Sequence, residues 1–205
     1  MATEYNFFLT STEVQKTGTS KPVIKINEYD DYSFLTDYDS ALINSLEKQI
    51  NPSLQVVSRV TTKGKLKFCN TDYISVTNYK GKELVNKRTS IITHPEMPKT
   101  IYNYIIQELK KDNDVAAPIR HLDKNGKSFW LNTQFNPNKG SNLKLAYSTK
   151  AVPTSETAVN KIKEIYNTLF LIEKNVNQDQ AQKYFEGMLE MEYANYDGFL
   201  LEIFE

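Results

Sequence analysis

Hydrophobic residues follow two different spacings along this chain, and each change of spacing marks a predicted element. A short apolar run at 23–26 predicts a strand, and the polar residues before it favour either a loosely ordered leader or an added strand. Between positions 37 and 50 the apolar residues recur every three or four positions, which predicts a helix. They are Leu42, Ile43, Leu46 and Ile50. Asn51-Pro52 ends this helix because proline disfavours helical backbone in the residue before it.

From Val56 onward the pattern is that of strands. An apolar run at 56–60, a turn at 61–64 and an alternating return through Leu66 and Phe68 predict a β-hairpin. Two short helical stretches follow, at 73–76 and 83–85. A longer helix is predicted to open at Pro95 and Pro98, since proline suits a first helical turn. Its apolar face carries Ile101, Tyr104, Ile105 and Leu109.

Three more strands and a helical region are predicted after this helix. Strands at 115–122 and 129–135 flank Asp123-Lys124-Asn125-Gly126, in which Asn-Gly is a strong hairpin signal. The last strand is predicted at about 143–148. Beyond Pro153 a helical spacing returns at Ala158, Ile162, Ile165, Leu169 and Ile172, and a second helical stretch covers 184–191. Two strands, helices, three strands and more helices predict an α+β fold.

The final residues form an apolar cluster with two interpretations. It contains Phe199, Leu200, Leu201, Ile203 and Phe204. The cluster either folds back on the core or docks on a partner, and folding back is favoured because large exposed apolar patches are uncommon on monomeric proteins.

Composition narrows the class of protein. A chain of 205 residues with 40% hydrophobic residues has room for one core with flanking segments. Lys+Arg and Asp+Glu both total 25, and no basic run is present, so nucleic-acid binding is not predicted. The single Cys69 forms no internal disulfide, and no apolar run reaches the roughly 18 residues of a membrane span. A cytoplasmic protein is therefore expected.

Catalytic and metal-binding motifs are missing from the sequence. It has two histidines, His94 and His121, no paired Cys/His spacing for zinc and no Gly-x-Ser-x-Gly turn. Gly64, Gly81 and Gly126 are isolated turn glycines, which do not make a phosphate-binding loop. We therefore predict a protein that is not an enzyme and has no metal site.

Several short motifs in order resemble the PAS sensor domain of bacterial aerotaxis receptors. The resemblance covers about 57–173. Its motifs are Asn70, Tyr79, Glu83-Leu84-Val85, Thr93-His94-Pro95-Glu96-Met97-Pro98, and Lys124-Asn125-Gly126 followed by Phe129-Trp130. It implies a PAS fold, in which a five-stranded antiparallel sheet carries helices on one face. The chain then divides into an N-terminal extension with one helix (1–52), a PAS domain (53–150) and a C-terminal helical extension (151–205).

The resemblance also implies a binding site. Its candidate cofactor-binding residues are Asn70, His94, Glu96, Trp130 and Gln134. FAD is the first candidate cofactor and haem a less favoured one, although Thr93 and Val115 replace the arginine and tryptophan that the family associates with this region. The cofactor is left unassigned for that reason.

Each of these residues also has a purely structural interpretation. His94 at a helix start can bond to a nearby backbone carbonyl, and Glu96 complements the positive end of a helix. Trp130 covers apolar area on a half-buried strand, whatever occupies the pocket. Gln134 binds a ligand only if its strand phase turns it inward, because an outward-facing amide needs no protein partner.

Two functions follow from the resemblance. The first is a chemotaxis-like bacterial sensor or adaptor that binds a small molecule or flavin. It would relay the signal through its C-terminal helices to a partner protein in trans, with a homodimer as one possible assembly. The second is a ligand-free PAS scaffold for dimerisation or protein binding, whose pocket is filled by its own aromatic residues. The 13 tyrosines and 10 phenylalanines make this alternative plausible.

Overall fold

The computed structural model describes residues 11–13, 23–25, 47–61, 63–138 and 145–205. Most of the predicted helix at 37–50 and the start of the predicted last strand lie outside the described residues. Two short strands near the N-terminus, β1 (Ser11–Glu13) and β2 (Val23–Lys25), pair antiparallel. The second of these agrees with the apolar run at 23–26.

The main sheet has five antiparallel strands, as predicted. They are β3 (Val56–Thr61), β4 (Leu66–Cys69), β5 (Val115–Leu122), β6 (Ser128–Pro137) and β7 (Leu145–Pro153), in the spatial order β4-β3-β7-β6-β5. The last strand along the chain is therefore the middle one of the sheet. It extends five residues beyond the predicted end at 148, to Pro153, because it pairs with both β3 and β6.

Helices precede and follow the last three strands. They are α1 (Thr71–Thr77), α2 (Gly81–Leu84), a 3₁₀ helix (Thr89–Ile92), α3 (Lys99–Lys110), α4 (Glu156–Asn175), α5 (Gln178–Glu192) and α6 (Tyr196–Phe204). Among the described residues, none of these helices combines the length and the apolar character that a membrane crossing requires.

The prediction that Pro95 opens the long helix is wrong. Helix α3 begins at Lys99, and the preceding residue, Pro98, has extended backbone angles. The segment before it is held against strand β5, since the His94 amide donates to the Arg120 carbonyl at 3.3 Å and Thr93 forms a bridge with His121. These tertiary bonds compete with the helical backbone that the two prolines would allow.

The predicted β5–β6 hairpin is confirmed, and its turn is longer than two residues. Leu122 pairs with Ser128, and the Asp123 carbonyl accepts a hydrogen bond from the Gly126 amide at 3.0 Å. Gly126 has φ of 77°, a left-handed conformation that glycine adopts without the strain of a side chain.

The core lies between the inner face of the sheet and helices α1 and α3. Fully buried side chains from both layers meet there, among them Leu66, Ile101, Ile105, Ile119 and Phe129. Ile101, Ile105 and Leu109 of α3 are buried, as its predicted apolar face implies, whereas Tyr104 is only half-buried.

The C-terminal helices cover the free edge of strand β5. The Tyr166 hydroxyl of α4 donates to the Pro118 carbonyl at 3.0 Å, and the Tyr196 hydroxyl of α6 donates to the Ala116 carbonyl at 2.9 Å. Together with the His94 amide on Arg120, these bonds occupy the outward carbonyls of alternate residues along the strand. An edge strand covered in this way has no row of open carbonyls for a second chain to pair with.

The terminal apolar cluster folds back in large part. Phe199 and Ile203 are buried, and Phe199 packs edge-on against Phe185 of α5 with ring centroids 6.0 Å apart. Leu201 and Phe204 remain exposed on the other side of α6.

Candidate functional site

An interior cavity of about 50 Å³ lies between the sheet and helices α1 and α3. Strands β3, β5, β6 and β7, the two helices and the 3₁₀ region all contribute to its wall. The wall consists of Val56, Ser58, Val60, Tyr73, Val76, Thr77, Thr89, Ile92, Thr93, Tyr102, Ile119, His121, Phe129, Leu131, Thr133, Phe135, Tyr147, Thr149 and Ala151. Among the described residues, no Asp, Glu, Lys or Arg contributes to this wall.

Several hydroxyl groups of the wall bond to neighbouring protein atoms. Ser58 Oγ and Thr149 Oγ1 lie 2.7 Å apart across β3 and β7, and Thr77 Oγ1 donates to the Tyr73 carbonyl at 2.7 Å. Thr133 Oγ1 reaches the Leu131 carbonyl at 3.4 Å. These bonds stabilise the wall.

His121 contributes a half-buried imidazole ring to the wall. Its ring packs against Phe129, with centroids 5.3 Å apart, and bonds to the Ile92 backbone. Burial lowers the pKa of the imidazole to about 4, and the Ile92 bond only partly opposes this effect. Its Nδ1 is buried without a hydrogen-bond partner in the described part of the molecule.

The sequence interpretation did not assign a role to His121. Its position could have been found from strand alternation, because Ala117, Ile119 and His121 lie on one face of a strand. What the sequence does not reveal is that this face lines the cavity.

The five predicted cofactor-binding residues are all described, and none of them lines the cavity. His94 is fully buried, and its Nδ1 accepts the Glu96 amide at 3.1 Å. Burial, together with the Arg120 charge and His121, lowers the pKa of His94 to about 2, so the imidazole is neutral. The backbone partner of the imidazole is therefore an amide and not the carbonyl that the structural interpretation expected.

Glu96 and Trp130 lie together in a separate polar groove. Arg120 Nη1 contacts Glu96 Oε2 at 3.2 Å, and the guanidinium carbon lies 5.8 Å from the centre of the Trp130 ring. This groove has a volume of about 470 Å³ and is also lined by Lys163 and Tyr166 of α4. Trp130 faces away from the cavity because its neighbours Phe129 and Leu131 face into it.

Asn70 and Gln134 are in two further places. Asn70 Oδ1 accepts the Tyr73 amide at 3.0 Å and the Val57 amide at 3.1 Å, so it caps α1 and joins that helix to β3. Gln134 is exposed, because Thr133 and Phe135 take the inward phase of β6. The structure thus brings Glu96 and Trp130 together but does not assemble the five residues into one site.

Helix α3 connects the cavity to the C-terminal helices. Its Tyr102 lines the cavity, and its N-terminus is capped by Glu173 from α4. One Glu173 oxygen accepts the Lys99 amide at 3.0 Å, and the other accepts the Thr100 amide and hydroxyl, each at 2.7 Å. Pro98, which precedes the helix, supplies no side-chain cap, so this distant carboxylate does so.

Burial is the main influence on the Glu173 carboxyl group. It raises the pKa of Glu173, while the hydrogen bonds from Thr100 and Lys99 oppose that rise. The contact is therefore a partly buried link between two helices and not a surface ion pair.

Comparison with known proteins agrees with this architecture. Residues 66–151 match a family model described as the PAS fold. Together with the five-stranded antiparallel sheet, this match shows that this part of the chain is a PAS domain. The resemblance to the aerotaxis-type subclass stays a prediction.

Solved structures with a similar fold come from several PAS-type proteins. A PAS domain of a Colwellia psychrerythraea protein is 15% identical, with a TM-score of 0.43, over 47% of this chain and 82% of that one. A light-oxygen-voltage domain studied with a flavin analogue is 15% identical, with a TM-score of 0.46, over 65% of this chain and 93% of that one. The LOV domain of a blue-light activated histidine kinase from Erythrobacter litoralis is 12% identical, with a TM-score of 0.44, over 52% and 100%.

Proposed function

We propose that this protein is a cytoplasmic, non-enzymatic sensor or adaptor. In this proposal a small molecule in the interior cavity changes how the C-terminal helices pack, and the change alters binding to a partner protein. The observation that carries the proposal is the Glu173 cap, since it joins α4 to the helix whose Tyr102 lines the cavity.

The proposed relay has a simple physical basis. A ligand shifts a packing equilibrium only if it binds one packing state better than the other. An occupant that moves Tyr102 moves α3, and a displaced α3 changes the three hydrogen bonds that Glu173 makes to its first turn. Loss of these bonds leaves amides of a helix end without a partner, which favours a different docking of α4.

The size of the cavity bears on the choice of ligand. Ordinary ligand pockets span roughly 300–1,000 Å³, whereas this cavity has about 50 Å³. A three-ring flavin or a haem would require the lining side chains to move, and His94 is not on the wall. We therefore propose an occupant smaller than either FAD or haem.

The small cavity also supports a second candidate, the ligand-free scaffold. Five aromatic residues of its wall are already buried, namely Tyr73, Tyr102, Phe129, Phe135 and Tyr147. In that case the PAS domain would serve for protein binding or homodimerisation, without a ligand.

The two candidates can be separated on the full chain purified from its native host. Native mass spectrometry and an absorbance spectrum would detect a bound molecule. Hydrogen exchange would then be compared before and after the molecule is removed. The sensor predicts slower exchange in the first turn of α3 and around Glu173 after removal, because the Glu173 bonds to that turn form again. A bound molecule whose removal leaves both segments unchanged would contradict the relay, and a protein that carries nothing would favour the scaffold.

A further inference from the structure

Two adjacent residues before the PAS domain, Glu47 and Lys48, contact different parts of the molecule. The Lys48 amide donates to the Ser128 carbonyl at 2.9 Å, which fixes the backbone beside the start of β6. Lys48 Nζ lies 2.8 Å from Asp123 Oδ2 and also donates to the Val76 carbonyl of α1. Lys48 is therefore attached to the β5–β6 turn and to α1.

Glu47 contacts the C-terminal helix α4. Its Oε2 lies 2.8 Å from Lys163 Nζ of α4 and 3.9 Å from Arg120 Nη2 of β5. This oxygen is buried, and a carboxylate oxygen that has lost its hydration is stabilised by the cations beside it. If α4 moves away from the sheet, Glu47 loses the nearer of these two cations.

The contact continues along one face of α4. A narrow groove of about 100 Å³ separates residues 49–50 from Val159, Asn160 and Lys163, which lie close together on the helix surface. The buried Trp130 also lines this groove. Residues 47–50, which we call the 47–50 segment, therefore lie along the first half of α4.

Helix α4 is thus held at two separate places. Its last turns reach α3 through Glu173, and its first half reaches the 47–50 segment through Lys163. At a rise of about 1.5 Å per residue, these two side chains are attached about 15 Å apart along the helix. The contact with the 47–50 segment does not involve the interior cavity.

We propose that the 47–50 segment holds the first half of α4 against the sheet, and that displacing the segment from the β5–β6 turn releases this half of the helix. The segments on either side of the PAS domain are then coupled by direct contact. A movement of the N-terminal segment changes the docking of α4 without a ligand in the cavity, so this inference is separate from the proposed relay.

Cross-linking of the full-length wild-type protein tests the contact itself. A carbodiimide joins a carboxylate to a nearby amine without a spacer, so peptide mass spectrometry should identify a link between Glu47 and Lys163. Glu83 and Lys124 are the internal control, because their charged atoms lie 2.7 Å apart and Lys124, like Lys163, has a side chain that is 42% exposed. The control link without the Glu47–Lys163 link would contradict the proposal.

Hydrogen exchange tests the effect on the helix. Glu47→Gln and Lys163→Gln each remove one charge of the pair, and each should raise the exchange rates at 156–166 by about fivefold. Because both changes break the same contact, the double variant should raise them by less than the product of the two single factors. Lys174→Gln removes a charge from an exposed position of the same helix and should leave these rates unchanged.

Lys48→Met separates the action of the segment from that of a simple ion pair, since it leaves the pair between Glu47 and α4 in place. It should also raise the exchange rates of the first half of α4. The emission of Trp130, the one tryptophan of the chain, should shift to longer wavelength as the ring becomes exposed. Asn78→Ala is the matched control, because it removes a 2.6 Å contact to Asp123 without touching the segment.

Three further results would overturn the inference. They are single-variant factors that multiply in the double variant, unchanged exchange of α4 in Lys48→Met, and equal effects of Lys48→Met and Asn78→Ala on α4. Urea unfolding identifies any variant that fails to fold, and the wild-type cross-link does not depend on a variant.

Discussion

Asp123 shows how one side chain organises the hairpin that carries two of the predicted sequence motifs. Its buried carboxylate accepts the Asn125 and Lys127 amides, each at 2.9 Å, the Asn78 side-chain amide at 2.6 Å and Lys48 Nζ at 2.8 Å. Burial by itself raises the pKa of this carboxyl, but the bonds from Lys48, Lys127 and Asn125 outweigh it, and the pKa lies below its ordinary value. The ionised form is therefore the stable one.

Asp123→Asn should lower the free energy of unfolding by about 2 kcal/mol, because an amide has one acceptor oxygen and its NH₂ group would face donors. Urea unfolding at neutral pH measures this change. Asp114→Asn is the matched control, since Asp114 is exposed. Equal stability of the two variants would show that the four contacts to Asp123 contribute nothing.

For single residues, the sequence predicted the turn but not which side chains of the two flanking strands face inward. The Asn-Gly pair and the flanking apolar runs are local signals. The outward phase of Gln134 and the inward phase of His121 depend on which face of the sheet α1 and α3 cover, and nothing in the local pattern determines that choice.

At the scale of whole elements, a tyrosine hydroxyl helps to dock α4 against the edge of the sheet. Tyr166 is buried, and its hydroxyl satisfies the carbonyl of Pro118. Because β5 is an edge strand, that carbonyl has no neighbouring strand to bond with.

Tyr166→Phe should therefore reduce stability by about 1 kcal/mol, the usual net value of one hydrogen bond. The rate of amide hydrogen exchange in α4 should also increase, which separates weakened docking of this helix from a general loss of stability. Tyr184→Phe removes a hydroxyl from an exposed ring and should have no effect. Unchanged exchange of α4 in Tyr166→Phe would mean that its hydroxyl does not hold the helix.

Glu173 acts on a different element, the N-terminus of α3. Glu173→Ala should destabilise the protein by about 1–2 kcal/mol, because substitution of an N-terminal cap usually costs this much. Exchange should increase first at residues 99–102, where the capped amides lie. Glu164→Ala, on the exposed side of the same helix, is the control. If both variants exchange alike at α3, the Glu173 bonds do not couple the two helices.

Across the whole molecule, the buried His94 and the half-buried His121 make stability depend on pH. Their pKa values fall from 6.5 to about 2 for His94 and to about 4 for His121, mainly through burial. Unfolded histidines take up protons near pH 6.5 while the folded ones stay neutral, so unfolding takes up protons below that pH. Their contribution to stability is complete above pH 6.5 and is lost as the pH falls toward the folded pKa values.

Each histidine should lower the free energy of unfolding by about 1.4 kcal/mol per pH unit between roughly pH 6 and pH 5. Glu173 has the opposite effect on stability. Its pKa is raised in the folded protein, so the folded state gains stability as the falling pH protonates this carboxyl group. Urea unfolding at several pH values should therefore compare the wild type with His121→Asn, which removes one histidine only. An identical pH slope in both proteins would contradict the neutral state of His121 in the folded protein.

The sequence by itself determined the order and type of the elements, since apolar spacing, turn residues and prolines are local properties that act within a few positions. It predicted the five-stranded sheet, the helices between the strands and the helical C-terminus. Only the tertiary structure decided that α3 begins at Lys99, that Glu96 and Trp130 lie outside the cavity, and that Glu173 caps a helix more than 70 residues away. These features arise from contacts between distant segments, and the hydrogen bonds formed there outweigh what each segment favours alone.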